Sequence, residues 1–350
     1  MKKLLSLLLV AGITLMNNSF ACSQLSHEFK GVGTYAARSF DFCTEVKTTM
    51  VVYPRGTKGE SNKFGQNVIS WVGKYGYVTV NQPSLGPELT SEGVNEKGLA
   101  VHMLYMGETK QNPIDESKPV ISTFMWTQYV LANYQNVDEV LKHINEYQIH
   151  TYPLKFGKES VTFPLHFAIE DKTGNNAIIE FINGKLTIHK NQKMSTMANE
   201  PNYDAQLANL SKVKSSSQYT IEQLPGGADS ENRFVRANYI NENLPQANNS
   251  NMAVNYMFGA INSTMVPFFA NYQEGCKRLN DPVASANDAW PTQWVSVTDL
   301  DSSTLYLTNT LVGNRIWVNL NNLNLKAGQS IKTIDTSRVD ITGDVSKLLK

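Results

Sequence analysis

Cysteine is scarce in this chain, three in 350 residues, and none lies in a CxxC or zinc-type spacing. A disulfide-stapled scaffold is excluded, and a metal or dithiol centre has no support. Charge of one sign is also lacking. The 31 basic and 31 acidic side chains cancel and the isoelectric point is near 7.0, which argues against a nucleic-acid binder built on a basic face. Charged residues make up 18%, below the average of about 25%. With 41% hydrophobic residues, however, the chain can bury a core, so disorder is excluded as its main state. There is no Walker A, HExxH or GxSxG sequence, and the six histidines (His27, His102, His143, His150, His166, His189) have no ligand spacing. Gly31 to Ala36 fits a loose GxGxxA, but Phe29-Lys30 is a poor end to a buried strand and no helical pattern follows. No linker, repeat or low-complexity block divides the chain, so one domain is expected beyond the N-terminus.

What is present begins with a basic Lys2-Lys3 pair, an apolar run from Leu4 to Leu15, and Ser19-Phe20-Ala21 with small residues at −3 and −1 of a cleavage site. This pattern reads as a secretory signal peptide over residues 1–21. The apolar run is too short for the roughly 17 to 25 residues that span a bilayer, and no later segment comes close. A bacterial periplasmic or secreted protein without a stable membrane anchor is therefore expected. Cleavage would make Cys22 the first residue, with two readings. A cysteine after a signal sequence can be a lipid anchor, although Ser19 at −3 and the bulky Phe20 at −2 depart from the usual lipoprotein pattern. Alternatively, one residue acquires both a thiol and a free α-amine, whose pKa of about 7.7 to 8.0 suits it to accept a proton near neutrality. The nucleophile would then carry its own general base.

Strand-like runs fill the N-terminal third: Gly33 to Phe40, Thr49 to Pro54, Val68 to Val80 with a break at Lys74-Tyr75-Gly76, and Leu99 to Tyr105. Helical spacing follows at Ser122 to Tyr134 and Val137 to Tyr147, and again at Asp204 to Val213, Glu231 to Asn243 and Asn251 to Ile261. Leu165 to Lys190 reads as a three-strand meander with turns at Lys172 to Asn175 and Asn183-Gly184. Strands return at Trp294 to Val297, Thr304 to Thr308 and Arg315 to Val318. Strands and helices in separate runs favour α+β layers over alternating βαβ units.

Several ordered blocks carry a resemblance. Cys22-Ser23-Gln24, Ala37-Arg38-Ser39-Phe40-Asp41-Phe42 and Val52 to Gly56 are followed by Gly93-Val94-Asn95-Glu96-Lys97-Gly98-Leu99. Then come Ala198-Asn199-Glu200-Pro201-Asn202-Tyr203-Asp204, Leu224 to Gly227 with Asn232-Arg233-Phe234-Val235-Arg236, and Trp294 to Leu300. Together, in this order, they resemble the choloylglycine hydrolase family, which contains penicillin V acylases and bile salt hydrolases. The resemblance implies a four-layer αββα N-terminal nucleophile (Ntn) hydrolase fold over residues 22–350. It also implies cleavage of linear, non-peptide amide C–N bonds in a small-molecule acyl amide, without metal or organic cofactor. Carried over by position, Cys22 is the nucleophile, Arg38 and Asp41 are its partners, Asn199 is an oxyanion-hole amide and Arg233 is a second arginine of the site. Tyr105 falls where the acylases resemble one another in having tyrosine and most bile salt hydrolases carry asparagine. That tilts the expected substrate towards penicillin V or an N-acyl homoserine lactone, with a conjugated bile salt hydrolase or a non-catalytic exported lipoprotein or binding protein as alternatives. A homo-oligomer, dimer or tetramer, is compatible with the family, although the stretch between Asn199 and Arg233 is shorter than in bile salt hydrolases.

The residues make physical sense in these roles. Arg38 would favour thiolate near Cys22. Asp41, three residues on, cannot share the strand face of Arg38, so a bend or bulge after Phe40 is required for both to reach the N-terminus. Asp41 would then hold the α-amine. Without the resemblance, Asn199 would read as a turn residue, Arg233 as part of a solvated basic helix face with Arg236, and Tyr105 as core. Cys43 and Cys276 are expected as two buried thiols, with a disulfide as the alternative.

Overall fold

Two strands carry the start of the described chain. β1 (Cys22–Phe29) and β2 (Gly33–Asp41) form an antiparallel hairpin that pairs Cys22 with Phe40 and Gln24 with Arg38. The GxGxxA segment is its turn. Gly31 has φ 74° and Gly33 φ 144°, values that side-chain-bearing residues rarely adopt. A Cβ on Gly33 would lie 2.6 Å from the Asp301 carboxylate, which instead accepts the Thr34 N–H at 2.8 Å. The computed structural model describes residues 22–61, 67–156, 158–190, 195–273 and 290–349; the expected signal peptide and Cys276 lie outside them.

The hairpin sits within a seven-stranded sheet whose order is Thr196–Met197, β1, β2, Thr292–Asp299, Thr304–Asn309, Arg315–Asn319 and Gly343–Asp344. A second, eight-stranded sheet runs Lys185–Lys190, Asn176–Ile182, Leu165–Asp171, Leu99–Tyr105, Thr90–Asn95, Tyr77–Asn81, Thr49–Tyr53 and Lys332–Asp335. Helices α1 (Thr123–Asn133) and α2 (Val137–His143) pack on the second sheet. On the first lie α4 (Ser230–Glu242) and α5 (Ser250–Asn262), with α3 (Tyr203–Lys214) beside α4. This is the expected α+β arrangement of helix, sheet, sheet and helix layers.

A strand buried between two layers must be apolar or internally paired on both faces. In β2, Tyr35 and Ala37 meet Met257 and Phe258 of α5, while Phe40 joins the core between the sheets and Arg38 reaches the second sheet through the Ser91 carbonyl. The required irregularity is present, but on the neighbouring strand. Asp41 pairs with Thr292 and Phe40 with Trp294, leaving Gln293 as an extra residue, whose Nε2 donates to the Phe42 carbonyl at 3.0 Å. At this bulge the regular alternation ends, and Asp41 lines the same pocket as Arg38 and Phe40.

Each expected helix and the Leu165 to Lys190 meander is present, whereas β1 and Thr90–Asn95 form strands without a strand-like sequence pattern. Cys43 is buried as expected but disulfide-bonded rather than a thiol. Among the described residues, no helix is long and apolar enough to cross a membrane. The helix starts are written locally: Ser122, Asn136, Asn202, Asp229 and Asn249 each accept a backbone N–H of the first turn. Replacing Asp229 with alanine removes the cap of α4 and should lower stability by about 0.5–2 kcal/mol. A lower urea midpoint with unchanged slope is the expected result; an unchanged midpoint would show that α4 does not depend on its cap.

Candidate active site

Strand β1 delivers Cys22 to the space between the sheets, and α4 delivers Arg233 from the opposite side. Arg233 is fully buried. Its Nη1 donates to the Cys22 carbonyl at 2.6 Å and to Ser23 Oγ at 2.7 Å, and its Nη2 donates to Asn199 Oδ1 at 2.8 Å. Nε donates to the Ala228 carbonyl at 2.8 Å. This side chain is therefore no solvated helix face.

Asn199 closes the cluster. Its Oδ1 accepts the Cys22 N–H at 2.7 Å, and its Nδ2 donates to the Tyr105 carbonyl at 2.7 Å. The Asn199 backbone is held in turn by Ser230 Oγ, which accepts its N–H at 2.9 Å, and by Gln206 Nε2, which donates to its carbonyl at 2.6 Å. The expected partner of the Cys22 nitrogen was Asp41; the group that touches this nitrogen is Asn199 Oδ1. Asn199 Nδ2 retains a second hydrogen after the bond to Tyr105, as an amide has two donors.

Arg38 completes the surroundings of sulfur. Its Nη2 lies 3.9 Å from Cys22 Sγ, and its Nη1 donates to the Ser91 carbonyl at 2.5 Å. The guanidinium rests against the rings of Phe40 and Trp294, 5.5 and 5.3 Å from their centroids, which fixes its plane. All six residues singled out in the sequence thus meet. Others carried no sequence signal of their own: Ser23, Ser91, Ser230 and Gln206 are contacted through atoms that any neighbouring polar residue could offer.

Burial dominates the proton affinities. It pushes the Cys22 thiol up, with Arg38 opposing and Asp41 adding to the rise. Burial also pushes Asp41 up to about 7, against Arg233 and Arg38. Both Asp41 carboxylate oxygens are buried without a hydrogen bond of standard geometry; the Thr292 and Ser39 hydroxyls are close enough only to moderate the shift. Glu200, a buried carboxylate beside Asn199, is likewise raised to about 7, with the Gly107 N–H at 3.2 Å opposing. The Tyr105 phenol is raised by burial and by Glu200, so it stays a neutral donor.

A narrow pocket of about 50 Å³ opens on these groups. Cys22, Arg38, Asp41 and Tyr105 supply its polar wall, and Phe40, Phe42, Leu85, Leu89, Met103, Phe124, Phe163, Leu165 and Trp290 supply the rest. Such a site offers a buried sulfur, fixed positive charge and amide donors at one set of atoms, next to room for an apolar group. Among the described residues no cluster of three or more His, Cys, Asp and Glu is suited to hold a metal.

Residues 22–340 match the family model of linear amide C-N hydrolases, choloylglycine hydrolase family. A penicillin V acylase of Pectobacterium atrosepticum is 29% identical over 294 residues, covering 82% of this chain and 77% of that protein. The structure of a penicillin V acylase from Agrobacterium tumefaciens aligns with a TM-score of 0.78 at 26% identity, over 93% of this chain and 96% of its own. A conjugated bile acid hydrolase variant from Clostridium perfringens aligns with a TM-score of 0.74 at 21% identity, over 93% and 98%, a likeness of fold.

The Asp41 shift has a testable sign. A carboxyl whose folded pKa, about 7, exceeds its ordinary 3.8 contributes stability that is fully present below 3.8 and lost as pH rises to 7. With an uncleaved leader, so that Cys22 N remains a peptide N–H, Asp41→Asn should gain stability progressively between pH 4.5 and pH 7 and level off above. Thermal unfolding across that range checks this; an equal effect at pH 4.5 and pH 8 would place Asp41 in the ordinary carboxylate range.

Proposed function

Because the chain belongs to the choloylglycine hydrolase family of linear amide C–N hydrolases, we propose that it is an exported acylase in which Cys22, freed by removal of residues 1–21, is the nucleophile. The observation that carries this is the setting of Cys22. Its sulfur faces the Arg38 guanidinium at 3.9 Å on the wall of an apolar pocket, while Arg233 and Asn199 clamp its carbonyl and nitrogen. The family match also begins at this residue.

In the proposed reaction the Cys22 α-amine, directly or through water, takes the thiol proton, and Sγ attacks the amide carbonyl carbon. Arg38 opposes, in part, the burial that keeps the thiol protonated. The tetrahedral oxyanion is held by the second Nδ2 hydrogen of Asn199 and the Tyr105 hydroxyl, donors of a kind worth on the order of 10²–10³ in rate. Collapse breaks the C–N bond, and the amine leaves with the proton held by the α-amine. Water then hydrolyses the thioester, releasing the carboxylic acid and restoring the thiol. Asp41 balances the charge of Arg233 and of the N-terminal ammonium.

The acyl half of the substrate occupies the apolar wall and the amine half leaves on the opposite side. Penicillin V and long-chain N-acyl homoserine lactones fit this division, and the acylase likeness of the relatives and Tyr105 favour them over conjugated bile salts. Amine release measured on penicillin V, a long-chain acyl homoserine lactone and glycocholate should give at least tenfold lower kcat/KM for glycocholate, about 1.4 kcal/mol of discrimination. Preferred cleavage of glycocholate would reverse the substrate reading. Cys22→Ser should keep the fold and lose nearly all turnover, and full activity in that variant would sink the nucleophile assignment. Intact mass should begin at an unmodified Cys22; a diacylglyceryl mass there would remove the general base and favour the lipoprotein alternative.

A further inference from the structure

Two residues beyond the nucleophile, on the same face of β1, Gln24 enters a second buried polar cluster that the reaction above does not use. Its Nε2 crosses between the sheets and donates to Glu170 Oε1. Glu170 Oε2 lies 3.3 Å from His102 Nε2, and His102 Nδ1 lies 3.1 Å from Glu92 Oε2. None of the four residues is more than 1% exposed. Glu92 pairs directly with His102 across adjacent strands, and Glu170 stands diagonally on the next strand, two residues past the Ala168 that opposes His102.

Two buried carboxylates with no cation would cost several kcal/mol each. The imidazole between them therefore carries both protons, and the neighbouring Glu170 and Glu92 hold its pKa up at about 9 against burial. Apolar side chains would fill this space at least as stably, so packing alone does not call for the cluster. What distinguishes it is its connections. Gln24 ties it to the strand that begins at Cys22. Glu92 follows Ser91, whose carbonyl accepts Arg38 Nη1 at 2.5 Å. The cluster thus grips both the strand bearing the sulfur and the strand that orients the guanidinium facing it.

We propose that Gln24, His102, Glu92 and Glu170 form an ionic strut between the two sheets, positioning Cys22 Sγ against the Arg38 guanidinium. The strut acts through these two residues and touches no substrate. A misplacement of about 1 Å at reacting groups can cost on the order of 10² in rate. The inference rests on Cys22 as nucleophile, and Cys22→Ser tests that separately.

The test is Gln24→Leu in the mature enzyme, with Gln24→Met as a second variant of similar volume should the first not fold, and His102→Gln as a change farther from sulfur. Kinetics with the best amide of the panel are measured per folded molecule, together with the pH dependence of Cys22 alkylation by iodoacetamide, followed on the N-terminal peptide. The strut predicts a loss in kcat of about 10-fold to 100-fold, KM within about twofold, and a higher pH midpoint of alkylation, in the order Gln24 variants then His102→Gln. Folded variants with lower melting temperature but unchanged kcat and alkylation midpoint would overturn it, showing a structural cluster only. If Cys22→Ser is inactive while the Gln24 variants match the parent, only the strut fails. If Cys22→Ser is active, the nucleophile reading fails first.

Discussion

The buried guanidinium of Arg233 is the interaction on which the rest of the site depends. It joins the helical layer to the first strand by donating to the Cys22 carbonyl, Ser23 Oγ and Asn199 Oδ1. Removing a cation from water is costly, and burial lowers its proton affinity, with Asp41 foremost among the groups that oppose the loss. Two arginines, Arg38 and Arg233, stand against two carboxylates, Asp41 and Glu200, all buried. Burial raises both carboxylates to about 7 even against the arginines, so the proton affinities of the four are coupled. Lysine could not replace Arg233, because a point ammonium lacks the fork that spans four acceptors.

This polar unit is set against an apolar wall, and the two divide the work. In the proposed reaction, covering roughly 100 Å² of acyl surface would contribute about 2.5 kcal/mol at ~25 cal/mol per Å², which favours many apolar acyl groups without choosing sharply among them. Selection at the reacting bond would fall to the fixed groups around Cys22. Sulfur is kept as a thiol by burial and is drawn towards thiolate by Arg38, so its activation needs a base in contact. In the proposed reaction the freed α-amine of the same residue is such a base, and its nitrogen is the atom held by Asn199.

The parts legible in the sequence are those written in local signals. Helices announce themselves by caps such as Asn136 and Asp229 and by apolar spacing, and the meander by its Asn183-Gly184 turn, with φ of 51° and 80°. The site residues were reached through ordered motifs, not through periodicity. What stayed hidden is what depends on distant partners. Strand β1 reads as no strand because Ser23 and Gln24 are polar on opposite faces, each hydrogen-bonded to a residue more than a hundred positions away. Thr90–Asn95 carries Glu92 and Gly93 in the middle of a sheet, a poor strand composition until His102 pairs the carboxylate. A Cβ on Gly93 would lie 2.4 Å from the Val78 carbonyl. Arg233 looked solvated for the same reason: its helix exposes Glu231 and Glu242 to solvent, and nothing nearby in sequence shows that a strand carbonyl 211 residues away is its acceptor.

The central claim is that acyl transfer passes through Cys22 Sγ. The direct measurement is acid quenching during steady turnover of whichever amide of the panel is cleaved, followed by peptide mass mapping. The account predicts the acyl mass on the N-terminal peptide, located on Cys22 sulfur, removed by hydroxylamine and absent from Cys22→Ser. Turnover with Cys22 unmodified, or the acyl group found on another residue, would contradict it.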